Sequence, residues 1–196
     1  NLNQISLSLM QEQKKYKINL SGGDTTFSKK LSFSITVVGF SNKIIYRNKV
    51  LNNDDVYVTG NIGDSYIGLQ ILKKKFFVNQ KDYNYFVNKY YKPEIQIKLI
   101  KKLFKFCNSS IDISDGLIFD LEKLINKQKL TYEINLDRIP VSRKLDLFCK
   151  RKNINKSEII SRGDDYQILF TARKKYSRII KTISKNLSIK ITKIGK

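Results

Sequence analysis

Residues 110–117, which read SIDISDGL, constrain the fold of this chain more than any other segment. An alternating apolar lead-in predicts a strand, and leucines that recur with helical spacing over residues 117–124 predict a helix directly after it. The turn between them carries Asp112 and Asp115, with Ser114 in between. Mg²⁺ prefers oxygen ligands and usually takes only one or two carboxylates plus substrate phosphates. The turn therefore predicts a metal site, or alternatively a helix capped by Ser114 or Asp115, since both are favoured N-cap residues.

Two further turns combine glycine with acidic residues. Residues 21–26 (SGGDTT) place Asp24 after two glycines, which let the backbone pass close to a ligand or take a positive φ. Residues 162–166 (RGDDY) place Asp164 and Asp165 side by side, which is costly unless a cation or a hydrogen-bond donor faces them. Each turn alone could be ordinary solvated turn chemistry. Together with residues 110–117 they gather acids at the ends of predicted strands, where proteins commonly build sites.

The rest of the chain predicts a mixed α and β organisation. A helix is expected at residues 5–15, and the polar, turn-rich segment 48–54 suggests a domain boundary. After that segment, strands and helices of ordinary length alternate, which predicts a sheet with helices packed on it. Besides the strand before Asp112, strands are predicted at residues 16–20, 31–40, 55–59, 131–136, 166–171 and 188–194.

The loop at residues 60–65 (GNIGDS) has two interpretations. It could cradle a phosphate at a helix N-terminus, where free N–H groups and the helix dipole favour anions. It lacks, however, the Gly-Lys-Ser/Thr ending of a P-loop. A structural turn in which Asp64 or Ser65 caps the following helix is the better interpretation, and the loop is left out of the predicted site.

Several short motifs occur together in a characteristic order. They are residues 22–26 (GGDTT), 35–39 (ITVVG), 56–60 (VYVTG), 112–117 (DISDGL), 163–166 (GDDY) and 194–195 (IG). This order resembles the bacterial thiamine-monophosphate kinases, which belong to the superfamily of aminoimidazole ribonucleotide synthetase. The pairing of GGDTT with DISDGL favours the kinases over the synthetases and amidotransferases of that superfamily.

The resemblance implies an α+β fold in two parts. Residues 1–50 would form the end of an N-terminal ATP- and metal-binding α+β domain. Residues 51–196 would form a C-terminal α+β domain of the aminoimidazole ribonucleotide synthetase type. Proteins of the family are longer, with further metal-binding aspartates before the GGDTT motif and a tail that gives the substrate an aromatic contact. This piece alone is therefore expected to be weak or inactive, and the complete protein is expected to dimerise through its N-terminal domain.

The resemblance also implies an activity and a set of ligand contacts. The activity is ATP-dependent phosphorylation of thiamine monophosphate to thiamine diphosphate by direct in-line transfer with Mg²⁺. The acceptor phosphate is already ionised at neutral pH, so no general base and no catalytic side chain are expected. Arg162 and Gln167 depart from the Gly and Glu that are usual in the family. The contacts implied are Asp24, Asp112 and Asp115 to Mg²⁺, Arg47 and Ser114 to ATP, and Asp164 to the substrate.

Composition sets the alternatives and the exclusions. A net charge of +21 would suit a basic nucleic-acid-binding module, the alternative of a different class. The lysines are spread over the polar faces of predicted helices, however, so a solvated surface without specific nucleic-acid binding is expected. Another ATP-using enzyme of the same superfamily is the nearer alternative. No histidine is present, which excludes imidazole chemistry within this chain.

The two cysteines and the apolar runs indicate the compartment. Cys107 and Cys149 lie far apart without metal-ligand spacing, each on the apolar face of a helix-like run, which predicts core packing in a reducing cytoplasm. No apolar run reaches 18 residues, so no membrane contact is expected.

Overall fold

The computed structural model describes residues 2–196 as two compact units, of which the first ends at Phe40 and the second is Ser41–Lys196. The first unit contains the helix α1 (Leu2–Tyr16), which confirms the helix predicted at residues 5–15. The strands predicted at residues 16–20 and 31–40 were wrong, because residues 18–40 form neither strand nor helix.

The alternating segment 31–40 shows why its pattern did not become a strand. Phe33 is 63% exposed and Val37 is 86% exposed, so the apolar face has no cover in this unit. A strand also needs a partner for its backbone N–H and C=O groups. Within residues 2–196, no strand pairs with this segment. Asp24 therefore lies on exposed, irregular backbone.

The second unit is built on a four-stranded antiparallel sheet with the strand order β2-β3-β1-β4, and the α+β fold class is confirmed. The strands are β1 (Asp54–Thr59), β2 (Cys107–Asp112), β3 (Ile168–Arg173) and β4 (Ile191–Gly195).

The strand predicted at residues 131–136 was wrong. Only Ile134 makes a bridge there, with Gly195, because the chain turns at once into a short 3₁₀ turn, Leu136–Arg138, whose start is capped by Asn135.

The second unit also contains seven helices. They are α2 (Asp64–Leu72), α3 (Gln80–Tyr91), α4 (Ile97–Leu103), α5 (Leu117–Ile125), α6 (Arg143–Lys152), α7 (Lys156–Ile160) and α8 (Ser177–Leu187). The helices α3 and α7 were not predicted. The sequence of α3 mixes tyrosines with lysines and asparagines, so its buried positions Phe86 and Val87 do not stand out as a periodic apolar face.

Alternate residues of the central strands enter two different cores. On one face, Val58 of β1 and Leu169 of β3 pack with Ile113 and with the leucines of α5. On the other face, Tyr57 and Phe170 stack with their ring centroids 5.2 Å apart and pack against α4 and α8. The fully buried leucines of α5 fix that helix on the sheet, and with it the turn that connects β2 to α5.

The residues just before β1 are tied to α5 and the segment after it. The Asn48 N–H donates to the Leu124 carbonyl at 3.0 Å, and Val50 exchanges two hydrogen bonds with the Gln128 side chain. These residues thus belong to the second unit. The assignment of residues 1–50 and 51–196 to two domains remains a prediction.

The surface and the cysteines agree with the sequence-based interpretation. Lysines spread along the second unit are exposed, as expected of a solvated surface: Lys73, Lys74, Lys75, Lys101, Lys102, Lys127, Lys129, Lys174 and Lys175. Cys149 of α6 is buried in the core formed by α2, α3 and α6, and Cys107 packs against the core under α4 and α8. The prediction that Cys107 lies on a helix was wrong, because it begins β2. Among residues 2–196, no helix combines the length and the apolar character needed to cross a membrane.

Candidate functional site

Two of the three acidic turns meet at one end of the sheet. The last register pair of β2 and β3 is Asp112 with Ile168, and the ladder continues beyond it into both turns. The Tyr166 N–H donates to the Ile113 carbonyl at 2.8 Å, and the Asp164 N–H donates to the Ser114 carbonyl at 2.9 Å. The two turns that this ladder joins carry the predicted site residues Asp112, Ser114, Asp115 and Asp164.

Close backbone contact joins the two turns. A Cβ on Gly163 would meet the Ser114 carbonyl oxygen and lie 2.8 Å from the Asp115 carbonyl carbon. Gly116 has a φ of 135°, and a Cβ added there would collide with the Ser161 carbonyl oxygen in the same way. A side chain at either glycine would therefore push the turns apart.

Two residues of the second turn have a strained backbone conformation. Asp164 has φ of 69° and Tyr166 has φ of 51°, both in the left-handed region. A non-glycine residue in this region costs about 1–3 kcal/mol and persists only where surrounding contacts enforce it. Here the hydrogen bonds to the first turn enforce it. The two turns therefore form one ordered structural element.

The first turn is held from inside by Asp120 of α5. This side chain is fully buried, and its Oδ2 accepts the N–H groups of Ser114, Asp115 and Gly116 at 3.0, 2.9 and 3.1 Å. The helix begins after Gly116, which makes no side-chain capping bond. The alternative that Ser114 or Asp115 caps the helix was therefore wrong.

The outward side of the paired turns is acidic. Asp112 and Asp115 are exposed, and Ser114 and Asp164 are half-buried. Asp115 forms an ion pair with Lys123, and the hydrogen bonds to Asp115 and then to Asp120 raise the pKa of the lysine. The pKa of the Tyr166 phenol is raised first by burial and then by the charge of Asp164, followed by that of Asp112.

The donor set of this turn fits a hard cation. Two carboxylates and a hydroxyl supply oxygen ligands, which suits Mg²⁺ when substrate phosphates provide the remaining ligands. Within residues 2–196, no group of three His, Cys, Asp or Glu side chains is arranged to hold a metal ion by itself. Asp24, the third predicted ligand, belongs to the first unit.

Arg47, predicted to bind ATP, is anchored at the other end of β2 and α5. Its neighbours on both sides are tied there, because the Ser109 hydroxyl donates to the Tyr46 carbonyl at 2.8 Å and the Asn48 N–H donates to Leu124. Ser109 lies three residues before Asp112 in β2, or about 10 Å at the rise of a strand. The described contacts therefore do not bring Arg47 and Ser114 together.

Asp165 points into the protein rather than to the acidic face. Both of its carboxylate oxygens accept the Gly63 N–H, at 3.0 and 2.9 Å, at the start of α2. Gly63 is the N-cap residue of α2 and makes no side-chain capping bond, so the prediction that Asp64 or Ser65 caps α2 was wrong. The Asp165 carboxyl group occupies this helix N-terminus, so the Gly63 N–H is not free to bind a phosphate as the phosphate-cradle interpretation of residues 60–65 requires.

Two other buried polar residues complete this interior region. The Asp64 carboxylate accepts the Ser142 hydroxyl at 2.6 Å and the Tyr85 hydroxyl at 2.9 Å, and burial raises its pKa. The Gln167 Oε1 accepts the Thr59 hydroxyl at 2.8 Å. Both line a cavity of about 200 Å³ together with Asp165. Asp64 and Gln167 therefore have structural contacts that the sequence did not reveal.

The buried acid Asp165 predicts a pH dependence of stability. Burial raises its pKa to about 8, above the ordinary value of about 4 in an unfolded chain. The folded state thus binds the proton more tightly between these values, and the stability contributed by the neutral acid is lost as the pH rises through 8. Asparagine at position 165 does not titrate. The free energy of unfolding of Asp165→Asn, relative to that of the wild type, should therefore increase from pH 5 to pH 8, and urea denaturation at several pH values measures this difference. A constant difference across this range would contradict the prediction.

We compared the chain with families, curated proteins and solved structures. No family model matches it. Thiamine-monophosphate kinase of Buchnera aphidicola subsp. Schizaphis graminum is 38% identical over 198 residues, which cover 99% of this chain and 60% of the relative. The chain is a homologue of the bacterial thiamine-monophosphate kinases. It spans about 60% of the length of the curated relative, and the resemblance predicted from the motifs is confirmed.

Two solved structures match the fold of the chain. The crystal structure of thiamine monophosphate kinase from Aquifex aeolicus matches 78% of this chain and 50% of its own, with a TM-score of 0.67 and 29% identity. The structure of AaThiL complexed with AMPPCP and TMP matches 78% of this chain and 47% of its own, with a TM-score of 0.68 and 29% identity.

Proposed function

We propose that the protein carrying this chain transfers the terminal phosphoryl group of ATP to thiamine monophosphate, which yields thiamine diphosphate. The observation that carries the proposal is the 38% identity to a thiamine-monophosphate kinase over 99% of the chain. The likeness to a structure that holds the ATP analogue AMPPCP and TMP supports the same pair of substrates. The joined turns at residues 112–116 and 162–166 support the proposal, because they carry oxygen ligands of the kind that Mg²⁺ prefers.

Each side chain of the paired turns has a role in this proposal. Asp112 and Asp115 would hold Mg²⁺, which neutralises charge on the phosphates during transfer, and Asp24 is the third metal ligand that the resemblance implies. The Ser114 hydroxyl would contact ATP, and Asp164 would contact thiamine monophosphate. The hydrogen bond between the Asp164 N–H and the Ser114 carbonyl then couples the two substrate contacts directly. Arg47 as an ATP contact has the least geometric support.

The transfer needs positioning more than proton chemistry. A phosphate monoester acceptor is already ionised at neutral pH, so the chain does not have to supply a general base. Burial and neighbouring acids raise the pKa of the Tyr166 phenol, which therefore stays protonated at neutral pH and does not serve as a base. Dimerisation through the N-terminal domain and a cytoplasmic location remain predictions.

A coupled assay on the natural gene product tests the activity. Thiamine monophosphate and unrelated monophosphate acceptors would be compared under Mg²⁺ and ATP, with thiamine diphosphate measured directly. Formation of thiamine diphosphate with thiamine monophosphate as the preferred acceptor supports the proposal. Transfer to a different acceptor would favour another ATP-using enzyme of the superfamily. The absence of any thiamine diphosphate would contradict the proposed activity.

The net charge of +21 suggests an alternative function that is not enzymatic, namely a basic nucleic-acid-binding module. Charge alone gives weak binding to polyanions that falls steeply with salt. Binding to nucleic acid would be titrated from low to physiological salt with several sequences. A sequence or structure preference that survives physiological salt would favour the alternative, and uniform loss of binding would remove it.

We expect the 196-residue chain alone to bind Mg²⁺ weakly and to turn over slowly. Within residues 2–196, no three acidic, histidine or cysteine side chains form a metal site, so most ligands must come from substrate phosphates or water. A dissociation constant in the millimolar range is expected as an order of magnitude for such a site, roughly 1 mM. Isothermal titration with Mg²⁺ measures it. Turnover at the rate of ordinary kinases, about 1–100 s⁻¹, would contradict the expectation.

A further inference from the structure

Asp120 is a fully buried acid outside every motif that the sequence suggested. Three consecutive backbone N–H groups, from Ser114 to Gly116, converge on its Oδ2 within 3.1 Å. Its other oxygen accepts the Lys123 ammonium at 2.9 Å. A buried carboxylate is tolerated only when it is paired and hydrogen-bonded, and here each oxygen has its donors.

Converging N–H groups of this kind usually make a binding place for an anion. In this protein the carboxylate of Asp120 already fills it, so no phosphate can use these donors. Any contact of Ser114 with ATP must therefore come from its hydroxyl. With three N–H groups directed inward, the turn presents the Asp115 carboxylate to solvent, where it is 63% exposed.

Asp120 itself cannot touch a substrate or a metal ion, because none of its surface is exposed. Any effect on the reaction must pass through the turn that it holds. We infer that Asp120 is the positioning residue of this site: its carboxylate fixes the turn from Ser114 to Gly116, so that Asp112, Ser114 and Asp115 face their ligands in a set geometry. The part of this inference that concerns ligands rests on the proposed function, whereas the part that concerns the turn does not.

Lys123 adds a second connection between the same acids. Its ammonium contacts Asp120 and also Asp115, which links the buried anchor to the exposed predicted ligand. Lys123 lies partly in solvent, with 40% of its side chain exposed, so its contribution to holding the turn is screened. The three N–H bonds end on a fully buried carboxylate and hold the turn.

Hydrogen exchange of the three turn amides in this chain tests the anchor directly. In the wild type, the amides of Ser114, Asp115 and Gly116 should exchange at least about 100-fold more slowly than exposed amides. Asp120→Asn should accelerate all three by at least about tenfold, because a neutral amide oxygen accepts the three N–H groups more weakly than a carboxylate oxygen and the new NH2 group would face the Lys123 ammonium as a second donor. Lys123→Met should leave them protected, and Glu122→Gln, an exposed neighbour on α5, is the matched control.

Kinetics of the natural gene product test the consequence for ligands. With Asp120→Asn, kcat should fall about 100-fold, as a displacement of about 1 Å can cause, and the Mg²⁺ concentration for half-maximal rate should rise. Glu122→Gln should change neither quantity. An Asp120→Asn enzyme with normal kcat and normal Mg²⁺ dependence would overturn the positioning role.

The two measurements separate failure of this inference from failure of the proposed function. If the wild type makes no thiamine diphosphate, the activity is wrong, but the exchange of the turn amides still decides whether Asp120 holds the turn. If Asp120→Asn does not fold, the wild type alone decides: turn amides that exchange as fast as exposed ones overturn the inference. If Glu122→Gln removes the protection of the turn amides as fully as Asp120→Asn does, the inference is overturned as well.

Discussion

Asp115→Asn in the natural gene product should lower the kcat of thiamine diphosphate formation by at least about 100-fold, comparable to the loss of one essential electrostatic contact in an active site. Asparagine keeps the size of aspartate but loses the negative charge that a shared Mg²⁺ requires. Higher Mg²⁺ should recover part of the rate, because a weakened site fills at higher concentration. Steady-state kinetics over a range of Mg²⁺ concentrations measure both effects. The fold should persist, because the Asp115 side chain is exposed and caps no helix.

The matched control for this substitution is Asp146→Asn. Asp146 also pairs with lysines, since its carboxylate contacts Lys150 at 2.9 Å and Lys156, but it lies on α6 outside the acidic turns. Asp146 is half-buried and both lysines are exposed, so losing these ion pairs should change stability little and kcat not at all. Asp64 is unsuitable as a control, because it is buried and accepts two hydroxyl groups. Equal and small effects at Asp115 and Asp146 would refute the metal assignment.

The sequence was informative about the acidic turns because local signals and core packing agree there. The apolar lead-in became β2, and the leucines after Gly116 are fully buried on the sheet in α5. The glycine and the neighbouring acids of residues 162–166 became a turn that pairs with the first one. The cost of two adjacent acids is met at Asp165 by a hydrogen-bond donor, the Gly63 N–H.

Other features depended on tertiary contacts that a linear pattern does not contain. The segment 31–40 has the alternation of a strand, but alternation describes only side chains and does not supply a pairing partner. Asp120 looked like an ordinary polar position of a helix, although an acid in the first turn that can reach back to preceding N–H groups was a usable signal. Asp165 could not be distinguished from Asp164 by sequence, because which of two adjacent acids turns inward depends on their backbone angles.

Gly163→Ala should separate the two acidic turns and cause the second large effect. Its new Cβ would collide with backbone atoms of Ser114 and Asp115, which cannot rotate away as a side chain could. Overpacking of this kind costs about 1–3 kcal/mol of unfolding free energy. The hydrogen bond from the Asp164 N–H to Ser114 would lengthen, so the proposed contacts to ATP and thiamine monophosphate would move apart. A fall in kcat of about 10- to 100-fold is therefore expected for the natural gene product.

Gly39→Ala separates this clash from the general effect of replacing a glycine. No atom lies within 4 Å of a Cβ built on Gly39, so alanine there should leave kcat unchanged and alter stability only slightly through the entropy of the unfolded chain. Urea denaturation and kinetics of both variants at one Mg²⁺ concentration make the comparison. If Gly163→Ala keeps both its stability and its kcat, the turns can part without consequence, and their close contact does not position the substrates. If stability falls while kcat is unchanged, the contact serves the fold alone.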